Sequence, residues 1–341
     1  MTSVRPHDPA TRLRVVLQRG VPLTATPFAD LGRDLGLTGP DVLQALKSLF
    51  ESNIARRFGA VFDSRHLGYG STLCAVDVPE SELERVAELF APHTGVTHCY
   101  EREGNPNLWF TMTAPADRLQ SELDTMAAAL APYALLNLPA IKRFKVQVVL
   151  DAGTAGDTAA HHDRPPESGA ALDPPDLSPH EKALIRRMQG NLPLTLEPFV
   201  AVAQELDWDT TELLVRLRRW KEDGILRRVG VILRHRNAGF TANGMCIWRA
   251  DPATIDEAGR CLARCPEVTH CYERPPVGDF HYNLFAMVHA RQREITQEIF
   301  ERISKDAGLT EGRVLISKRE FKKTSPVFFC ENDSPAGTAA S

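Results

Sequence analysis

The sequence predicts an α+β protein built as a tandem duplication, each copy a winged helix-turn-helix followed by a β-α-β-β-α-β unit of ferredoxin-like order. The first observation behind this is "RRFGAVFDSRHLGYG" at 56–70, which returns as "RRVGVILRHRNAGF" at 227–240. Gly59 matches Gly230 and Gly68 matches Gly239 at one shared offset of 171. The second is that this offset extends upstream, pairing "VPLTATPF" at 21–28 with "LPLTLEPF" at 192–199. The third lies downstream, where "GVTHCYER" at 95–102 recurs as "EVTHCYER" at 267–274, now offset by 172. A repeat covering about half the chain is a structural unit used twice.

Each copy opens with three helical segments. Pro27 and Pro198 fit first-turn positions, and Thr38-x-x-Asp41 and Asp209-x-x-Glu212 fit capping arrangements for the third helix. Val42, Leu43, Leu46 and Leu49 in one copy, and Leu213, Leu214, Leu217 and Trp220 in the other, have helical spacing. Alternating strand-like sequence comes next. Then come a helix ("PESELERVAELFAPH", "DPATIDEAGRCLARC"), two strands, a second helix and a last strand ("AIKRFKVQVVL", "RVLISKREFKK"). Helices on one face of an antiparallel sheet leave the other face needing a partner, so the two sheet units are expected to pack together about a pseudo-two-fold axis.

These signals place helix-turn-helix 1 at 8–57, sheet domain 1 at 58–150, a linker at 151–178, helix-turn-helix 2 at 179–228, sheet domain 2 at 229–326 and a tail at 327–341. The linker is rich in Ala, Gly, Asp and Pro and offers little to bury.

At 341 residues, 43% apolar and 25% charged, the chain has ordinary globular composition. Its net charge of −4 supplies no general basic field for nucleic acid. No apolar run approaches the ~20 residues that span a bilayer, and no signal peptide is legible, so a cytoplasmic location without membrane contact is expected. Seven cysteines show no paired C-x-x-C and read as reduced thiols. No P-loop, G-x-S-x-G or H-E-x-x-H occurs, and no metal site is expected.

Two concentrations of chemistry remain. In each "VTHCYER" the strand period places His98, Tyr100 and Arg102, and likewise His270, Tyr272 and Arg274, on one face. Imidazole, phenol and guanidinium make a poor dry core and a good pocket for an anionic aromatic ligand. The loop after the first strand carries Arg57, Arg65 and His66 in one copy, and Arg228, Arg234, His235 and Arg236 in the other. Clustered arginine suits a polycarboxylate, because it holds carboxylates through paired hydrogen bonds and keeps its charge. Asp63 and Ser64 stand where the second copy has Arg234 and His235, so the halves are not chemically equivalent.

The order of elements resembles the leucine-responsive regulator (Lrp/AsnC) architecture, and "RRVGVILRHRNAGFTANGMCIW", "THCYER" and "YNLFAMVH" resemble the siroheme decarboxylase family with its two subunit types fused. The likeness covers roughly 8–150 and 179–326. It implies loss of the acetate carboxyl groups on rings C and D of siroheme, toward haem d1 or haem. The iron comes with the substrate and no further cofactor is implied. Within it, His235, His270 and His98 are the candidate catalytic residues, with His66 a weaker one. Arg57, Arg65, Tyr100, Arg102, Arg228, Arg234, Arg236, Tyr272, Arg274 and Tyr282 are candidates for substrate binding. The competing reading is a regulator of the same architecture, binding DNA and a small effector. The first third helix disfavours it, with Lys47 its only cation; the second carries Arg216, Arg218, Arg219 and Lys221. Further homo-oligomerisation is left open.

Overall fold

Apolar spacing and caps fix the helices as the sequence suggests. The computed structural model describes residues 9–146, 174–233, 242–290 and 292–330. The first half runs α1 (Pro9–Arg19), α2 (Pro27–Arg33), α3 (Gly39–Glu51), β1 (Ala55–Phe62), β2 (Tyr69–Val76), α4 (Leu83–Phe90), β3 (Val96–Arg102), β4 (Leu108–Pro115), α5 (Leu119–Leu130), β5 (Leu135–Pro139) and β6 (Lys142–Val146). The second runs α6 (Pro179–Met188), α7 (Pro198–Glu205), α8 (Thr210–Glu222), β7 (Leu226–Leu233), β8 (Ala242–Trp248), α9 (Ile255–Arg264), β9 (Val268–Glu273), β10 (Leu284–Ala290), α10 (Arg293–Asp306) and β11 (Gly312–Lys323). Among the described residues no helix is long and apolar enough to cross a membrane.

Thr38 and Asp41 form a reciprocal capping box at α3. At α8 Asp209 accepts from the backbone of Thr211 and Glu212. A second box, Ser178 with Glu181, starts α6, and Leu177 beside it is buried. Leu177 and Ser178, assigned by composition to the linker, therefore belong to the second helical unit.

The helices of both halves share one core. Leu17, Phe28, Leu46 and Phe58 pack in the same cluster as Leu184, Phe199, Leu217 and Trp220. At its centre β1 and β7 pair antiparallel, with Gly59 opposite Gly230. A Cβ on Gly59 would stand 2.1 Å from the carbonyl oxygen of Gly190, and one on Gly230 2.7 Å from that of Leu17. These glycines are required because the ends of α1 and α6 press onto the ribbon there. The domain boundaries after 57 and 228 cut through β1 and β7; the structure corrects this, since among the described residues these strands pair only with each other and pack among the helices.

The remaining strands form one nine-stranded sheet in the order β5-β2-β4-β3-β11-β8-β10-β9-β6. It is knit by exchange. The first part of β11 pairs with β8 of its own half, and its end continues onto β3 of the other. β5 pairs with β2, while β6 crosses to β9. The strand expected over 140–150 is present as β6, with 147–150 outside the described residues; β5, which precedes it on the opposite edge of the sheet, is an additional strand. Only Ala140 and Ile141 separate the edges, so the sheet curls back on itself. Ala75, Trp109 and Leu138 then meet Met245, Ile247, Phe285 and Leu315 in a core without helices. Helices α4 and α5 cover the outer face of one half, α9 and α10 that of the other.

Beyond β11 the chain returns to the helical layer. Phe328 is buried in the helical core, where Gln189 both donates to and accepts from its backbone. The first residues of the tail are therefore docked; 331–341 lie outside the described residues.

Candidate functional site

Strand alternation sends Cys99 and Cys271 into the cores beneath the helices. Burial pushes both thiols up to about 12, so they stay protonated and inert. The other face of each strand carries the ladder expected from sequence. His98 and Tyr100 lie with ring centroids 6.3 Å apart and planes 25° apart; for His270 and Tyr272 the values are 6.2 Å and 21°. The next arginine covers the tyrosine, Arg102 at 5.4 Å and Arg274 at 4.9 Å from the ring centre.

A threonine orients each imidazole: His98 Nδ1 is 3.0 Å from Thr97 Oγ1 and His270 Nδ1 is 3.0 Å from Thr269 Oγ1. Thr269 Oγ1 donates to the Met287 carbonyl at 3.3 Å, so it accepts from Nδ1–H of His270 and leaves Nε2 as the titrating atom. Burial, then the fields of His98, Arg143 and Lys145, lowers the His270 pKa from 6.5 to about 4. His98 and His270 therefore lie near enough at the junction of the halves for a charge on one to be felt at the other.

Arg102 and Arg274 sit deeper, 5% and 9% exposed. Arg102 donates to the Leu315 carbonyl at 3.1 Å, and Arg274 to that of Leu138. Burial lowers both pKa values to about 10, so they remain charged near neutrality. Their place is that of girders tying each ladder to the strand across the inner core, and the buried Nε of each has no hydrogen-bond partner among the described residues.

Two residues missed by sequence reasoning face the ladders across the exchanged strands. Arg143 of β6 is the register partner of Tyr272, its guanidinium 5.9 Å from the ring centre. Glu320 of β11 is the partner of Tyr100 and accepts its hydroxyl at 3.2 Å. The signal was the paired "KRFK" and "KREFK": aligned on their closing Phe-Lys, they set Arg143 and Glu320 at the same place. Arg65 also reaches this region: after burial, Arg143 is the next cause of its lowered pKa, while Tyr272 acts in the opposite direction. Its loop is pinned by Asp63, which accepts from Arg227 of the other half at 2.6 Å and from the backbone of Arg65 at 2.9 Å. His66 Nδ1 lies 3.3 Å from the same carboxylate, a structural position.

Other candidates lie apart. Arg57 and Arg228 stand on the β1–β7 ribbon; burial, Arg56 and Arg228 lower the Arg57 pKa to about 10. Tyr282 packs on Phe280 with Arg313 at 5.1 Å from its ring centre, beside the inner core. Arg234, His235 and Arg236 lie outside the described residues. Among the described residues no cluster of His, Cys, Asp or Glu has the makings of a metal site.

Comparison with known proteins agrees with this architecture. Residues 66–145 and 237–322 match the AsnC-like ligand binding domain, and residues 14–56 and 181–227 match the siroheme decarboxylase NirDL-like HTH domain. The siroheme decarboxylase of Hydrogenobacter thermophilus is 35% identical over 93% of each chain. The siroheme decarboxylase beta subunit of Methanosarcina barkeri is 40% identical over 41% of this chain and 93% of its own. A crystal structure of the siroheme decarboxylase NirDL in complex with an iron-uroporphyrin III analogue superposes with a TM-score of 0.74 at 31% identity, covering 94% of this chain and 95% of that one. With duplication, ladder pair and full-length similarity in agreement, the chain belongs to the siroheme decarboxylase NirDL family.

Proposed function

We propose that this chain is a carboxy-lyase that converts siroheme to didecarboxysiroheme, releasing carbon dioxide from the acetates of rings C and D, on a route to haem d1 or haem. The observation that carries this reading is the pair of matched His–Tyr–Arg ladders, one from each repeat, brought near each other where the halves join. A substrate with two equivalent acetates on neighbouring rings meets two equivalent histidines, one from each repeat. The iron belongs to the substrate, and no separate cofactor is invoked.

In each step the bond between the acetate methylene and its carboxyl carbon breaks and carbon dioxide leaves. The electron pair stays on the methylene carbon, conjugated to the macrocycle, and a proton from an imidazolium Nε2 completes the methyl group. His270 with no carboxylate beside it is neutral near pH 7, because burial and neighbouring cations hold its pKa near 4. A bound carboxylate reverses that balance, so the proton is loaded as the substrate binds. Arg143 and Arg65 supply charge that holds the carboxylates of the substrate.

Siroheme incubated anaerobically with the protein is expected to lose carbon dioxide twice, read by mass spectrometry. A substrate that binds and is returned intact refutes the assignment. The regulator reading is disfavoured by the cations of α8, several of which are spent internally. Arg216 pairs with Glu181 at 3.1 Å, Arg218 donates to the Leu23 carbonyl at 3.2 Å, and Arg219 lies 3.8 Å from Asp223. A sequence-specific mobility shift that survives about 150 mM salt would restore that reading.

A further inference from the structure

Each ladder strand is flanked by an exchanged strand, and these two flanking walls are built on the same plan yet carry opposite charge at one position. Lys145 and Lys322 establish the equivalence: each is the register partner of the ladder cysteine, Cys271 or Cys99. Each also donates to backbone carbonyls at the end of the covering helix, Lys145 to Cys265 at 2.8 Å and Lys322 to Ala91 at 2.9 Å and His93 at 2.7 Å. Both strands shift register just before that lysine, between Arg143 and Lys145 and between Glu320 and Lys322. The residue opposite the ladder tyrosine is therefore Arg143 in one wall and Glu320 in the other. Arg143 leaves the Tyr272 ring flanked by two guanidiniums, its own and that of Arg274. Glu320 instead takes the hydroxyl of Tyr100, with Lys323 at 4.0 Å from its carboxylate.

We propose that Arg143 and Glu320 are the specificity-determining pair that fixes which way the tetrapyrrole lies against the ladders, and hence which acetate is lost first. The inference rests on the siroheme reading above. A carboxylate against Arg143 is held and stabilised, which slows its departure. A carboxylate beside Glu320, whose charge Lys323 only partly balances from 4.0 Å, is held less tightly than one beside Arg143, so less binding is lost when carbon dioxide leaves. The acetate beside His98 leaves first and the one beside His270 second, through a single mono-decarboxylated intermediate.

The test is single-turnover conversion of siroheme with the mono-decarboxylated regioisomers separated and assigned by NMR, alongside a spectral titration of siroheme affinity. The unaltered chain is expected to pass through one regioisomer. Arg143→Glu should weaken siroheme binding about tenfold or more, and Arg143→Lys should restore most of it. Glu320→Arg should give both regioisomers, Glu320→Gln should shift the ratio part of the way, and the double exchange R143E/E320R should favour the opposite isomer. An unaltered chain that forms both isomers equally, or active Glu320 variants with an unchanged ratio, overturns the inference while the function stands. No carbon dioxide loss from the unaltered chain overturns the functional reading and the inference with it.

Discussion

The ladders of β3 and β9 and the strands that cross over to them obey different rules. Within its own strand each ladder repeats the other closely: ring separations of 6.3 and 6.2 Å, the same threonine behind each imidazole, the same arginine over each tyrosine. Across the seam, where β6 meets β9 and β11 meets β3, Arg143 stands against Glu320. A strand's own geometry comes from local alternation and survives duplication unchanged. A cross-strand contact joins two different copies, so each can vary separately, and that is where the halves of this molecule are free to specialise.

The most severe way to break the comparison is to remove the imidazoles. His98→Ala and His270→Ala are each expected to slow carbon dioxide loss about a hundredfold or more, with siroheme affinity changed little, because arginines supply much of the hold. His235→Ala, outside the described residues, is expected to behave likewise, and His66→Ala to be mild. A ladder histidine whose loss leaves turnover normal would remove its half from the chemistry.

Next in size are the ribbon glycines, which sharpen the comparison in the helical layer. Gly59→Ala drives a methyl to 2.1 Å from a carbonyl oxygen, whereas Gly230→Ala reaches only 2.7 Å. Gly59→Ala should cost about 3 kcal/mol and Gly230→Ala about 2 kcal/mol, measured by denaturant unfolding. Equal costs would mean that the chain at Gly190, after α6, yields more readily than α1.

A smaller effect concerns pH. His270 takes up a proton near 6.5 when unfolded and near 4 when folded, so the unfolded state binds more protons between those values. The stability of keeping it neutral is complete above about 6.5 and falls away as pH drops toward 4. His270→Asn should therefore flatten part of the decline in melting temperature over that window. A parallel decline in both proteins would show that the histidine is not desolvated as described.

The smallest expected change is none at all. Proteolysis within 151–173 should leave the halves co-eluting on a sizing column, since the sheet and helical core are both shared. Two separately eluting folded halves would contradict the exchange of β6 and β11.

Much of this was legible in the sequence. Local signals carried the duplication, the capped third helix starting after Thr38, and the His–Tyr–Arg face, because each depends on spacing within a few residues. The destinations of β6 and β11 were not, since pairing across more than a hundred residues leaves no periodic trace and alternation alone cannot choose between two equivalent sheet edges. Arg143 and Glu320 were hidden for the same reason, with a register shift beside each reversing the face that simple alternation assigns. Phe328 was hidden by composition, because a lone aromatic cluster before a Gly- and Ala-rich end reads as tail. Arg102 and Arg274 were placed on the correct face, yet their depth and their carbonyl partners belong to the curl of the sheet.

The crossing of β6 and β11 has a consequence for assembly. When two such halves are separate chains, as the relative named as a beta subunit implies, each must find its unlike partner from solution in competition with copies of itself. Here both halves are tethered, so each crossing strand meets its acceptor at an effective concentration set by the tether and independent of expression level. One-to-one stoichiometry of the two halves follows from the covalent link, and every molecule carries one Arg143 and one Glu320 opposite its ladder tyrosines.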